Sequence, residues 1–206
     1  MFSSTSGAPR PRRPTDIILL IASVLPLLVL WWPAPGPTDI DTDLTAFLRD
    51  LPDLWDPLWQ TGFSAVALWP ILLMLIVLAN RGRRSPLLDW LVAPALAAAL
   101  SLGIGALAGT TISESVRSLG STGPPQVHVA VRLALATAVV ATSSPRLSRP
   151  LRQIGRGVLL FGAVSAIALD VTFALGAVAG FLVGLAAAAT VNLLFGSPAA
   201  SSAQVK

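Results

Sequence analysis

Six long apolar stretches, at residues 17–32, 58–79, 88–108, 126–141, 158–173 and 177–195, leave this 206-residue chain almost no room for a water-facing surface. Only 12% of its residues are charged, against about 25% in ordinary soluble domains. A helix needs about 17–25 mainly apolar residues to cross a bilayer. The first, fourth and fifth stretches sit at the short end of that range and are extended by their flanks. In lipid every backbone N–H and C=O must be satisfied internally, so apolar segments of this length become helices. The expected fold is therefore all-α, a six-transmembrane-helix bundle. It comprises a cytoplasmic tail at 1–14, a helical domain at 15–196 with an outer loop at 33–57, and a polar linker at 197–206. The linker's composition suggests that a further C-terminal region follows.

The arginines orient this bundle. Arg10, Arg12 and Arg13 precede the first stretch, Arg81, Arg83 and Arg84 lie between the second and third, and Arg146, Arg149, Arg152 and Arg156 lie between the fourth and fifth. With Lys206 they make 11 of the 14 basic residues. Basic residues gather on the cytoplasmic side, so both termini are expected in the cytoplasm and the protein in the plasma membrane. An even number of crossings requires the same agreement. The first stretch runs into Trp31-Trp32-Pro33 without a small-residue cleavage site, so it reads as an anchor and not a cleaved signal. The basic runs carry no interleaved aromatics, which argues against nucleic acid as a partner. There is no cysteine, one histidine and no tyrosine, so disulfides, thiolate chemistry and a transition-metal cofactor are not expected.

The outer loop carries Asp39, Asp41, Asp43, Asp50, Asp53 and Asp56. Asp39-x-Asp41-x-Asp43 resembles the start of a calcium loop but lacks its Gly and closing Glu, so a solvated acidic loop is expected. Within 45–54, together with Leu44, the apolar residues Phe47, Leu48 and Leu51 fall at helical spacing and predict a short amphipathic helix along the outer interface. Trp31, Trp32, Trp55 and Trp59 mark that interface and Trp90 the inner one. Gly176, Gly180 and Gly184 repeat every four residues and predict close helix packing inside the bundle, as do Gly105 and Gly109. Pro26, Pro70 and Pro94 each remove a backbone hydrogen bond from a span.

An ionisable group inside a span is costly enough to need a reason. Asp89 lies close to Arg81, Arg83 and Arg84, where an interfacial ion pair accounts for it. Arg132 and Asp170 are expected at similar depth, paired inside the outer half of the bundle. His128 lies one turn from Arg132 on the same face. Two readings stand side by side: a buried Arg132–Asp170 pair that fixes helix register, or an anion pocket for a lipid phosphate built from His128, Arg132 and Arg117.

The order of elements and the sequence Pro125-Gln126-Val127-His128 resemble the type-2 phosphatidic acid phosphatase superfamily, whose fourth helix opens with Pro-Ser-Gly-His. The resemblance implies a six-helix core with an active site at the outer leaflet. There, one His attacks phosphorus, an Asp orients it, a second His protonates the leaving group and cationic side chains hold the phosphate. Carried onto this chain, only His128, the acid, is retained. Thr172 stands at the nucleophile, Gly176 at the Asp and Ala166 at the Arg of the third motif. In the first motif Arg117 could stand for the Arg, with Thr110 at the Lys and Ser118 at the Pro. Threonine cannot replace imidazole in a phosphohistidine route, so turnover by that mechanism is not expected. The segments 130–138, Leu147–Arg152 and 192–198 also resemble the N-terminal membrane region of actinobacterial proteins related to lysylphosphatidylglycerol synthase/flippase. That likeness implies a supporting role in lipid handling.

Three functions follow. The first is a non-catalytic module that binds lipid headgroups or docks other transmembrane domains, with membrane lipids, C-terminal domains of a longer chain or a second copy as partners. The second is an active lipid phosphatase or phosphotransferase using His128. The third is a small transporter subunit, for which no inverted repeat is visible.

Overall fold

The computed structural model describes residues 14–31, 38–79, 86–117, 119–120, 129–144, 147 and 149–196. His128, Gln126, the N-terminal tail, the C-terminal linker, Arg81, Arg83, Arg84, Arg146, Ser118 and Trp32 lie outside the described residues, as do the side chains of Trp31, Arg49, Asp53, Asp89 and Trp90. The described chain is helical, with no strand: α1 (Pro14–Trp31), α2 (Asp39–Arg49), a 3-10 turn (Asp53–Trp55), α3 (Asp56–Ala79), α4 (Pro86–Leu107), α5 (Ile112–Arg117), α6 (Val131–Ser143), α7 (Arg149–Ala168) and α8 (Ala174–Phe195). Three stretches, Asp56–Ile76, Arg149–Ala168 and Ala174–Phe195, are long and apolar enough to cross a membrane. Shorter apolar helical stretches run over Pro14–Leu30, Leu91–Leu107 and Val131–Ser143. An all-helical chain with three such long apolar helices is consistent with a membrane protein. Large exposed apolar residues such as Ile18, Leu25 and Leu28 on α1 and Leu68, Ile71 and Leu75 on α3 then face lipid, where they carry no penalty.

At the centre, α6 packs against α8 and α4 and, less extensively, α3 and α7. Ten of its thirteen residues are buried. It runs parallel to α8 at backbone contact. A methyl group on Gly184 would lie 2.6 Å from the Ala134 carbonyl oxygen and 2.6 Å from Thr137 Cβ, and one on Gly180 would lie 2.7 Å from the Ala130 oxygen. These glycines pack helices within the chain, which is the close approach small residues permit in lipid. The Ala130 N–H also donates to the Gly176 carbonyl at 3.1 Å, locking the register. A second glycine crossing, absent from the sequence reading, joins α3 to α7. Gly62 faces Phe161 and Ser165, Gly162 faces Val66, and Gly155 faces Trp69, so these helices are antiparallel. Gly105 and Gly109 act locally instead. The Thr110 N–H reaches the Gly105 oxygen at 2.9 Å and the Gly109 N–H the Ala106 oxygen at 3.1 Å. With Gly109 at φ 83°, this is the Schellman turn that ends α4.

Three boundaries differ from expectation. The short outer helix covers Asp39–Arg49, not 45–54, because Thr38 and Asp41 form a capping box that starts it early. α6 starts at Val131 rather than 126, although 126 itself lies outside the described residues. The helix containing 158–173 begins at Arg149 and stops at Ala168: its first two turns are too basic to register as an apolar span, and Asp170 terminates it.

Asp41 is not a solvated acid. It is 1% exposed. Its Oδ2 accepts from the Thr38 N–H (3.0 Å) and hydroxyl (2.8 Å), while Oδ1 accepts from the Leu175 N–H at 3.0 Å. The carboxylate therefore caps α2 and α8 together, at the positive end of the α8 dipole. Burial by itself would raise this carboxyl. The Leu175 and Thr38 N–H groups, the Thr38 hydroxyl and the Ala174 N–H outweigh it and hold the group below its ordinary 3.8. A depressed folded value means the stabilisation is complete above 3.8 and is lost as pH falls through the lower folded value.

Asp41→Ala is expected to cost about 2 kcal/mol, and its destabilisation relative to wild type should shrink on acidification, read by thermal unfolding across a pH series. Gly184→Val is expected to cost about 3 kcal/mol or more because backbone atoms cannot yield. Gly157→Ala, which opens onto free space, should leave the melting temperature within a degree or two or raise it.

Candidate functional site

Arg132 is the second residue of α6. A cation in the first turn opposes the helix dipole, and α6 has no side-chain N-cap to offset it. The guanidinium carbon lies 4.1 Å above the ring centroid of Phe63 on α3, a cation–π contact worth about 1 kcal/mol. Its Nε is buried and has no hydrogen-bond partner among the described residues, so a strong donor is left unsatisfied in the interior. A buried donor in that state costs about 1–3 kcal/mol, more when charged.

Arg132 lines an apolar cleft of about 350 Å³ between α3, α4 and α6. Val66, Pro70 and Met74 form one wall, Pro94 the second, and Leu135 and Val139 the third. Two of the three span prolines, Pro70 and Pro94, thus lie on the same cavity. The volume falls at the low end of the 300–1,000 Å³ usual for small-molecule sites. One cation above an otherwise apolar wall has the polarity of an amphiphile's binding site, with an anionic head and a hydrocarbon body.

On the other side of Arg132 is a void of only about 10 Å³, bordered by Phe63, Gly162, Ala166 and Thr172. Thr172 is 1% exposed and Ala166 4%. The structure therefore brings Arg132, Ala166 and Thr172 to one place, but around a space no larger than one water.

Asp170, expected as the counter-ion of Arg132, follows the end of α7. Its φ is 59°, its N–H donates to Ile167 O at 3.0 Å, and the Val171 N–H reaches Ala166 O at 3.0 Å. This is a second Schellman turn, with Asp where glycine is usual, and Val171 and Ala166 share the hydrophobic contact beneath it. Arg117 ends α5, exposed, three residues from Glu114, whose carboxylate accepts from the Thr111 N–H at 2.8 Å. It does not line the cleft, although Leu119 just beyond it does. Gly176 lends its carbonyl to Ala130. Phe63 was not visible as a site residue in the sequence, since a lone aromatic in a span has no signature. Among the described residues no three His, Asp or Glu side chains gather as a metal site would require.

At position 170 the left-handed backbone sets the order of tolerance. Asp170→Gly should keep or raise the melting temperature, while Asp170→Val should cost about 2 kcal/mol. Equal effects of the two substitutions would show that the turn does not control the end of α7.

No protein-family model matches the chain, and neither does any curated protein or solved structure, so the geometry of the site alone carries its functional reading.

Proposed function

We propose that this chain is a six-crossing plasma-membrane module, with both termini in the cytoplasm, that holds an anionic lipid at Arg132 and does not hydrolyse it. The observation that carries this reading is the buried Arg132 Nε, without a partner among the described residues, on a side chain that lines an apolar cleft. A lipid phosphate offers that N–H an acceptor and neutralises the cation, and a hydrocarbon chain fills the cleft. Parallel α6 and α8 and antiparallel α3 and α7 fit alternating crossings, with α1 and α4 as the remaining two. α6 is short for a bilayer, about 20 Å at 1.5 Å per residue. Its neighbours, not lipid, surround it, which is the setting in which short or broken helices are tolerated.

The likeness to the type-2 phosphatidic acid phosphatases enters the proposal as a degenerate core. Thr172 at the nucleophile position has no imidazole, and the adjoining void has no room for a phosphoryl group. The most economical role is therefore binding: a lipid-recognising module that works within a larger lipid-modifying or lipid-flipping assembly.

The test is reconstitution in nanodiscs containing phosphatidic acid or phosphatidylglycerol, with bound lipid and inorganic phosphate measured together. Arg132→Gln should lower affinity about 10- to 100-fold, the loss expected for one charged hydrogen bond, and Arg132→Lys should restore part of it. No phosphate should be released above background. Release that vanishes in His128→Ala would overturn the non-catalytic reading. Unchanged lipid retention in folded Arg132→Gln would remove the site.

A further inference from the structure

We infer that the opposite end of the bundle carries a second lipid site, a cationic face of α7 that holds phosphate headgroups of the anionic lipids in that leaflet. Arg149, Arg152 and Arg156 fall at i, i+3 and i+7 of α7, within about 60° of one another around the helix at 100° per residue. Gln153 completes the face, and one turn on the same stripe becomes Leu160 and Val164, both exposed. A polar-to-apolar change along a single lipid-facing stripe marks where headgroups give way to hydrocarbon.

Two observations separate this face from an ordinary solvated one. First, its charges have no acidic partner among the described residues. The first turn of α7 contains no acidic residue, none of the three arginines makes an ion pair among the described residues, and all three stand in the first half of the helix, Arg149 and Arg152 in the first turn where the dipole disfavours cations. Second, Arg156, and to a lesser degree Arg152, lies below the apolar end of α3. Gly62 faces Ser165, Val66 faces Gly162 and Trp69 faces Gly155, so each step along α3 is a step back along α7. Arg156 is therefore level with about Pro70 and Arg152 with about Met74. From Pro70 α3 stays apolar, with Leu72, Leu75 and Ile76 exposed, so at 1.5 Å per residue Arg156 lies about 9 Å and Arg152 about 3 Å short of the level of Ile76. Side chains on α7 tilt toward its N-terminus, so the three guanidinium groups snorkel back toward the same interface. Their combined charge, set beside the hydrocarbon-facing wall of α3, suits an anionic phosphate drawn slightly below the headgroup plane. Each arginine near such a leaflet strengthens binding on the order of fivefold.

This site shares the membrane reading with Arg132 but none of its residues, and the test separates the two. Wild-type protein in phosphatidylcholine nanodiscs, with and without phosphatidylglycerol, is compared by melting temperature and by phosphatidylglycerol retained in native mass spectrometry. The glycerol lipid should raise the melting temperature, and Arg152→Gln/Arg156→Gln should lose most of that increment and at least one retained lipid. Arg132→Gln should not remove this component, and the corresponding double Lys variant should keep it. An increment unchanged in the double Gln variant, or reproduced by soluble glycerol phosphate alone, would overturn the assignment. If the double Gln variant does not fold, the wild-type increment decides. It must fall as ionic strength rises, and an increment indifferent to salt contradicts the proposal.

Discussion

The contact on which the arrangement depends is the backbone approach of α8 to α6 at Gly180 and Gly184. In lipid there is no hydrophobic drive to bring helices together, so association rests on packing and on hydrogen bonds. With no side chain on either glycine, carbonyl oxygens of α6 sit where methyl groups would otherwise be. That approach lets the Ala130 N–H reach the Gly176 carbonyl and so fixes the depth at which α6 begins. Arg132, two residues later, inherits its position from that hydrogen bond. The start of α8 is held in turn by Asp41, which reaches across 134 residues of sequence to cap it. The outer helix, the last helix and the site are therefore one mechanical unit.

This construction explains why the centre of the bundle is crowded while its flank is open. Where α6 meets α7 and α8, glycine and alanine close the space almost completely. Toward α3 and α4, which carry Pro70 and Pro94 within their helices, the packing leaves a cleft. Arg132 sits at the boundary between the two regimes. A cation in this position would be a liability in an empty pocket, since among the described residues no group accepts from its Nε. The same imbalance recurs on α7, where three arginines lie along apolar protein. Both features become favourable once anionic lipid supplies the missing charge.

Much of the helical plan was legible in the sequence, for a physical reason: long apolar runs in a charge-poor chain admit few other solutions. Helices α1, α3, α4 and α8 fall within three residues of the expected limits at either end. The glycine spacing on α8 announced a close packing face, and Arg132 stood out because a cation in a span is expensive. What sequence could not give was pairing between distant residues. Asp41 looked like one of six interchangeable acids, since its partner is a backbone N–H at position 175. The backbone role of Asp170 was hidden, since nothing in sequence reveals a left-handed φ. Gly62 and Gly162 have no periodic repeat and became visible only through their mutual contact. The beginning of α7 was hidden because arginine-rich turns read as loop until the register with α3 is known.

The most direct test of the central claim is photo-crosslinking from the cleft itself. A diazirine amino acid replacing Met74, on the α3 wall below Arg132, would be activated in native membranes and the adduct identified by mass spectrometry. A phospholipid adduct whose yield drops in Arg132→Gln is the predicted result. An adduct formed with protein alone, or a lipid adduct indifferent to Arg132, would contradict the account.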